Sequence, residues 1–261
     1  MPLTDTQIER YSRQIILPEV GGIGQEKLLA ARVLVVGAGG LGATAAVYLA
    51  AAGVGTLGIV DDDRVELANL QRQVLYSMAT VGRGKAESAR SALALLNPDC
   101  AVRAHAQRLD ATSAADLIAP YEIVVDAADN FATKFLLNDT CVAQEKPLVS
   151  GSVLRFDGQL STFLGFQPGA PCYRCLFPAP PPPGLYPTDE ECGIFGVVAG
   201  LIGALQATEV LKLILGVGSP LVGRMLIYDA LGPGFREVTI RAAPDCTTCV
   251  SHDPLRRAAV G

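Results

Sequence analysis

Val33-Leu-Val-Val36 runs into Gly37-Ala-Gly-Gly-Leu-Gly42 and on into the alanine-rich stretch ending at Ala52, and few folds accommodate that succession. A continuous apolar run of this length suits a strand buried on both faces of a parallel sheet, and the stretch from Leu41 to Ala52 supplies a helix. Between them, Gly37, Gly39, Gly40 and Gly42 place no Cβ in the way, so backbone amides and the helix N-terminus can meet a phosphate or pyrophosphate. The plainer alternative is that the glycines only serve a tight turn. Asp61 follows Thr56-Leu-Gly-Ile-Val60, about twenty residues on, where a carboxylate at a strand end accepts ribose hydroxyl hydrogens. Together these features predict a nucleotide, but they do not separate NAD or FAD from ATP.

Glu122-Ile-Val-Val125 before Asp126 repeats the pattern of an apolar strand with an acid at its carboxyl end. Lys85 to Leu96 and Phe131 to Gln144 read as the helices between. This alternation predicts an α/β fold, a Rossmann-like doubly wound sheet with ligands at the carboxyl ends of its strands. Beyond Leu148, Leu154 to Phe166 and Met225 to Ile240 read as hairpin strands around Asp157-Gly158 and Gly232-Pro-Gly234, making the sheet mixed with an antiparallel extension. Pro178-Ala-Pro-Pro-Pro-Pro-Gly184 lacks most of its amide hydrogens and is expected as a surface loop, leading to a helix from Val197 to Leu215. At the start, Thr6-Gln-Ile-Glu9 has capping-box spacing for a helix through Ile15, with a second helix over Gln25 to Ala31. The expected organisation is one domain over 1–261: a helical arm (1–31), a nucleotide-binding half (32–150) and a second half (151–261).

A chain of 261 residues, 50% hydrophobic, can bury a sizeable core. Its net charge of −5, with no block of Lys or Arg, favours neither nucleic acid nor an anionic membrane as partner. Met1-Pro-Leu-Thr-Asp5 lacks a basic flank and an apolar signal core, and Gly or charge interrupts the long apolar stretches before about 18 residues. A cytoplasmic location is expected. Its seven cysteines would then be mostly reduced, and ordered spacing among them points to metal or catalysis before disulfides.

Asn69-Leu-Gln-Arg-Gln73 and Lys85 place amides and two cations soon after Asp61. Transfer of an adenylyl group needs such cations to neutralise a triphosphate, and hydride transfer has no comparable need. Singly, Arg72 or Lys85 reads as a solvated helix charge. Asp129-Asn130 follows the strand ending at Val125, where a carboxylate could hold Mg²⁺ against phosphate oxygens. Asp126 competes for that role, and either acid could instead end the strand or cap the next helix. Cys172-Tyr-Arg-Cys175 and Cys246-Thr-Thr-Cys249, seventy residues apart, form two CxxC knuckles suited to tetrahedral zinc; four thiolates leave no open position, so the zinc would be structural. A redox CxxC is the rival reading. Cys100 and Cys141 read as small buried hydrophobes.

These motifs, with Arg10-Tyr-Ser-Arg-Gln-Ile15 and Tyr48-Leu-Ala-Ala-Ala-Gly-Val-Gly55, resemble the MoeB/ThiF/HesA family of ubiquitin-activating-enzyme-like adenylyltransferases over nearly the whole chain. The resemblance implies a homodimer that adenylates the terminal glycine of a ubiquitin-like sulfur-carrier protein ending in Gly-Gly, with ATP, Mg²⁺ and Zn²⁺ as cofactors. It also implies that Asp61 holds ribose, that Asn69, Arg72 and Lys85 contact phosphates, that Asp129 serves Mg²⁺, and that Arg13 reaches the neighbouring subunit's site. Asp63, Gln73 and Asn130 complete the expected nucleotide contacts. The second half of the chain would then bind the carrier and the zinc. Three rival readings are an NAD- or FAD-dependent oxidoreductase on the same loop, a non-catalytic adaptor that docks a carrier, and, within the same fold, adenylation of a peptide or a tRNA-bound carboxylate. Which carrier is bound, and whether the pathway is that of molybdopterin, thiamin or another product, stays open.

One departure concerns a cysteine that family members often carry after the proline stretch. Ungapped register puts Asp189 at that place, with Cys192 three residues late. A thiol needs an electropositive neighbourhood to ionise, and Asp189, Glu190 and Glu191 supply the opposite, so a covalent thioester or acyl-disulfide step at Cys192 is not expected. With Gly261 soon after the second CxxC, no appended rhodanese domain is expected, and a separate sulfurtransferase is expected to deliver sulfur.

Overall fold

The computed structural model describes residues 2–182, 189–232 and 234–249, with the backbone alone at Asp189 and Glu190. Eight strands make one sheet: β1 (Arg32–Val36), β2 (Thr56–Val60), β3 (Ala101–His105), β4 (Ile123–Asp126), β5 (Leu148–Leu154), β6 (Asp157–Phe163), β7 (Arg224–Asp229) and β8 (Gly234–Thr239). Their order is β3-β2-β1-β4-β5-β6-β7-β8. Pairing is parallel from β3 through β5 and antiparallel from β5 through β8. The mixed, Rossmann-like sheet with an antiparallel extension is as expected. Chain order reverses at β1, which lies between β2 and β4, and a crevice opens outside the carboxyl ends of neighbouring strands at such a point.

The helices are α1 (Asp5–Ile15), α2 (Gly21–Ala30), α3 (Gly40–Ala52), α4 (Lys85–Leu96), α5 (Ala114–Ile118), α6 (Phe131–Ala143), α7 (Tyr173–Leu176), α8 (Asp189–Cys192) and α9 (Gly196–Leu215). Alternation along β1 assigns them to two layers. Val33 and Val35 pack with Leu49 of α3, Leu93 of α4 and Val210 of α9. Leu34 and Val36 pack with Ile118 of α5 and Leu137 of α6 on the other face. Each such side chain, fully buried, contributes about 1.5–3 kcal/mol, which is why β1 reads as an unbroken apolar run.

Helix α9 forms where the sequence placed it, one residue longer at its start, but its composition departs from expectation. Its 20 residues are long and apolar enough to cross a membrane, since Gly200, Gly203 and Glu209 interrupt the composition but not the helix. It lies in the core: a Cβ at Gly203 would come within 2.3 Å of the Leu41 carbonyl, and buried Glu209 accepts from Thr162 Oγ1 and the Leu221 N–H, each at 2.7 Å.

Two local features shift. The capping box is Thr4 with Gln7, so the helix starts at Asp5 and Thr6 lies within it. The first hairpin turns at Arg155-Phe156, with Arg155 left-handed at φ 55°, because Leu154 pairs with Asp157; Asp157-Gly158 is strand. The second hairpin turns between Asp229 and Gly234 as expected, with Pro233 outside the described residues. Residues 178–182 of the proline run are irregular, and Pro183 and Gly184 lie outside the described residues.

Candidate functional site

A cavity of about 510 Å³ opens at the carboxyl ends of β1, β2 and β4, where the chain order reverses. Gly39, the N-cap of α3, and Gly40 line it, so the positive end of a 13-residue helix faces the space. Gly37 sits at φ 91°, and a Cβ there would meet the Ala127 carbonyl at 2.6 Å. Gly42 does not line the cavity: a Cβ there would lie 1.8 Å from the Gly37 carbonyl oxygen. Its smallness closes the helix against the loop.

Asp61 accepts hydrogen bonds from the Ala38 N–H at 2.7 Å and the Asp63 N–H at 2.9 Å. Burial pushes its carboxyl above the ordinary value, opposed by the Lys85 ammonium and the two amides. Lys85, buried at the start of α4, pairs with the exposed Asp63 at 2.8 Å, so Asp63 holds the lysine in place on the cavity wall. Asn69 is fixed by its side-chain oxygen, which accepts from the Glu66 N–H at 3.0 Å. Arg72 donates to the Ala68 carbonyl at 3.3 Å, and Gln73 is buried with its Oε1 unpartnered among the described residues. All of these line the cavity, as does the exposed Asp129.

The two competing acids separate by burial. Asp126 is fully buried and held by Lys134 Nζ at 3.0 Å, Ser150 Oγ at 2.6 Å and the Ala128 N–H at 3.1 Å, whereas Asp129 is exposed on the cavity wall and accepts from Asn130 Nδ2 at 3.3 Å. Asn130 lines the cavity but caps α6, its Oδ1 accepting from the Thr133 N–H at 2.9 Å. Sequence reasoning missed Asp62, Arg64, Glu66, Gln107 and Arg108 on the wall; they lie on loops after β2 and β3, and only the acids' proximity to Asp61 could have flagged any of them.

Arg13 lies elsewhere. It is exposed on α1, whose Tyr11 hydroxyl accepts from Asn97 at 2.8 Å and whose Gln14 donates to the Ala52 carbonyl at 2.9 Å. These contacts pin α1 to the C-terminal end of α3, about 20 Å from the glycine loop by helix rise. Cys192 is half-buried in α8, two residues before the cavity-lining Ile194; the side chains of Asp189 and Glu190 lie outside the described residues.

A second, largely apolar cavity of about 290 Å³ adjoins the first, sharing Asp129, Ser152 and Val153 and walled by Phe131, Phe163, Tyr173, Leu176 and Phe177. Beside it the sulfurs of Cys172, Cys175, Cys246 and Cys249 all lie within 4.8 Å of one another. The Cys172–Cys175, Cys172–Cys246 and Cys175–Cys249 separations are 4.0, 3.6 and 3.4 Å. Tetrahedral zinc with bonds of about 2.3 Å requires sulfurs about 3.8 Å apart, so the four residues fit that ion. Arg174, between the first two cysteines, forms two 2.7 Å bonds to Asp139 of α6, tying the knuckle to that helix.

A helix N-terminus, a strand-end carboxylate and the cations Arg64, Arg72, Lys85 and Arg108 meet on one cavity of an α/β domain, an arrangement suited to a phosphate-bearing ligand. The ThiF family model matches residues 11–248, and the chain belongs to the ThiF family. The sulfur carrier protein adenylyltransferase of Thermus thermophilus is 50% identical over 261 residues, covering 98% of this chain and 96% of that protein. The SAMP-activating enzyme E1 of Haloferax volcanii is 50% identical over 95% of this chain and 91% of its own length. MoeZ of Mycobacterium tuberculosis, named as a probable adenylyltransferase/sulfurtransferase, is 49% identical, and the match spans 62% of it. E. coli MccB, crystallised with MccA-N7isoASN, shares the fold at a TM-score of 0.82 and 24% identity, over 92% of this chain and 74% of that one.

Proposed function

We propose that this chain uses ATP to adenylate the C-terminal glycine of a small ubiquitin-like sulfur-carrier protein. The observation that carries the reading is the convergence of Arg72, Lys85, Asn69 and Asp129 on the cavity at the N-terminus of α3. An oxidoreductase or a docking adaptor has no use for that set, and relatives half identical over nearly the whole chain are named as adenylyltransferases and an activating E1.

In this reading the glycine loop and α3 cradle the triphosphate, and Asp61 takes the ribose. Arg72 and Lys85 offset charge on the α-phosphate and departing pyrophosphate. The carrier carboxylate attacks the α-phosphorus in line, one P–O bond forming as the bond to the bridging oxygen breaks, and gives an acyl-adenylate. Asp129 would hold Mg²⁺, which when bound supplies further charge neutralisation on phosphate oxygens. The apolar cavity next to Asp129 takes the carrier's C-terminal segment, and Zn²⁺ at the four cysteines holds its wall in place. Arg13 acts in the site of a second copy; exposed Ile16, Leu17 and Ile23 near it offer apolar surface that a homodimer would cover. A separate sulfurtransferase then supplies sulfur.

The test is exchange of labelled pyrophosphate into ATP, expected with Mg²⁺ and a Gly-Gly-ended carrier together and with neither alone. No exchange with any carrier from the same organism would falsify the reading.

A further inference from the structure

Tyr76 lies outside the ring of charged groups, yet its hydroxyl stands where the pieces of the phosphate site meet. It follows the Asn69 to Gln73 segment, is 7% exposed, and donates to the Ala38 carbonyl of the glycine loop at 2.9 Å. The Lys85 carbonyl is a weaker neighbour at 3.4 Å. One hydroxyl has one hydrogen, and the shorter contact takes it. On its other side Ala38 is held by its N–H, which donates to Asp61 at 2.7 Å.

The carbonyl of Ala38 and the N–H of Gly39 belong to one planar trans peptide, so they point in opposite directions. Holding the carbonyl inward against Tyr76 turns the Gly39 N–H outward, toward the cavity that Gly39 lines. That N–H has no hydrogen-bond partner among the described residues. The peptide has little else to fix it. Rotating it changes ψ of Ala38 and φ of Gly39, and glycine accepts either sign of φ without steric cost.

We infer that Tyr76 is a positioning residue for ATP: its hydroxyl locks the Ala38–Gly39 peptide so that the Gly39 amide is aimed at a phosphate oxygen. The inference rests on the ATP reading above and adds a residue to it. Burial, with the charges of Asp61 and Asp63, raises the Tyr76 hydroxyl above its ordinary value, so the donor keeps its proton throughout the working pH range.

Tyr76→Phe keeps the packed ring and removes the donor. By the size of a single buried hydrogen bond, the affinity for ATP should fall about tenfold, and the KM for ATP in pyrophosphate exchange should rise with it. Affinity for adenosine, which has no phosphate, and the KM for the carrier should not change. Titration calorimetry with ATP and with adenosine separates the cases. Unchanged ATP affinity, or parallel losses for ATP and adenosine, overturns the inference, the second outcome marking Tyr76 as merely structural. If wild-type protein binds no ATP, the nucleotide reading itself fails. Should the variant not fold, a wild-type crystal structure with ATP decides. The expected result is a Gly39 amide within hydrogen-bond reach of a phosphate oxygen and a Tyr76 hydroxyl still on Ala38; an amide turned away overturns the proposal.

Discussion

Lys134→Met tests the buried charge that ties the loop carrying Asp129 to β5. The Lys134 ammonium lies 3.0 Å from Asp126 Oδ2 and donates to the Gly151 carbonyl at 2.8 Å, and the two side chains are 6% and 0% exposed. Methionine fills the space of the lysine stem but leaves Asp126 with only Ser150 and the Ala128 amide. Removing one partner of a buried ion pair costs about 3–5 kcal/mol, because the remaining charge is uncompensated. Taking about 4 kcal/mol, and about 2–4 °C per kcal/mol for a chain of this size, the melting temperature should fall by about 8–16 °C. The double variant Asp126→Asn, Lys134→Met deletes both charges and should recover more than half of the loss. Urea and thermal denaturation of all four members of the cycle give the coupling directly. A loss below about 1 kcal/mol for Lys134→Met, or a double variant no more stable than the single one, refutes the reasoning.

Cys175→Ser, or stripping with a strong zinc chelator, should lower the melting temperature and raise the KM for the carrier more than that for ATP, because the knuckle's Tyr173 and Leu176 wall the apolar cavity; equal effects on both would detach the knuckle from carrier binding. His105 shares a hydrogen bond with the Tyr121 hydroxyl at 2.9 Å, and burial, then Arg103, lowers its imidazole below the ordinary value. A lowered folded-state value means that this stability is present above the unfolded value of about 6.5 and is lost as pH falls through the folded one. His105→Gln should therefore flatten the acid-side decline of melting temperature between about pH 7 and 5, and an identical decline in both proteins would contradict this. Cys192→Ala should leave pyrophosphate exchange within about two-fold of wild type; loss of exchange would give the thiol a role in adenylation.

What the sequence revealed depended on whether its signals were local. β1, the glycine loop and α3 are written contiguously, and their burial on both faces matches the unbroken apolar run. Asp157-Gly158 misled because a Gly beside an Asp signals a turn, whereas Gly158 is a strand residue kept small by Ile202 of α9, 2.5 Å from where a Cβ would stand. Thr6-Gln-Ile-Glu9 misled because Thr4 and Gln7 offer the same spacing two residues earlier, and no sequence rule ranks the two. β3 went unread: Ala101, Arg103 and Ala104 carry no strong strand signal, and its order comes from pairing with β2. At the site, the sequence could not divide labour between Asp126 and Asp129, or find Gln107 and Arg108, because those roles follow from which loops converge on the crevice.

The adenylation account is tested most directly by intact-mass analysis of the carrier after incubation with this protein, Mg²⁺ and ATP, with no sulfur donor present. The account predicts carrier heavier by one adenylyl group at its terminal glycine, lost on mild base treatment, and absent when Asp129→Ala replaces the wild type. A carrier that stays unmodified with active, ATP-bound wild-type protein, or one modified equally by Asp129→Ala, would contradict it.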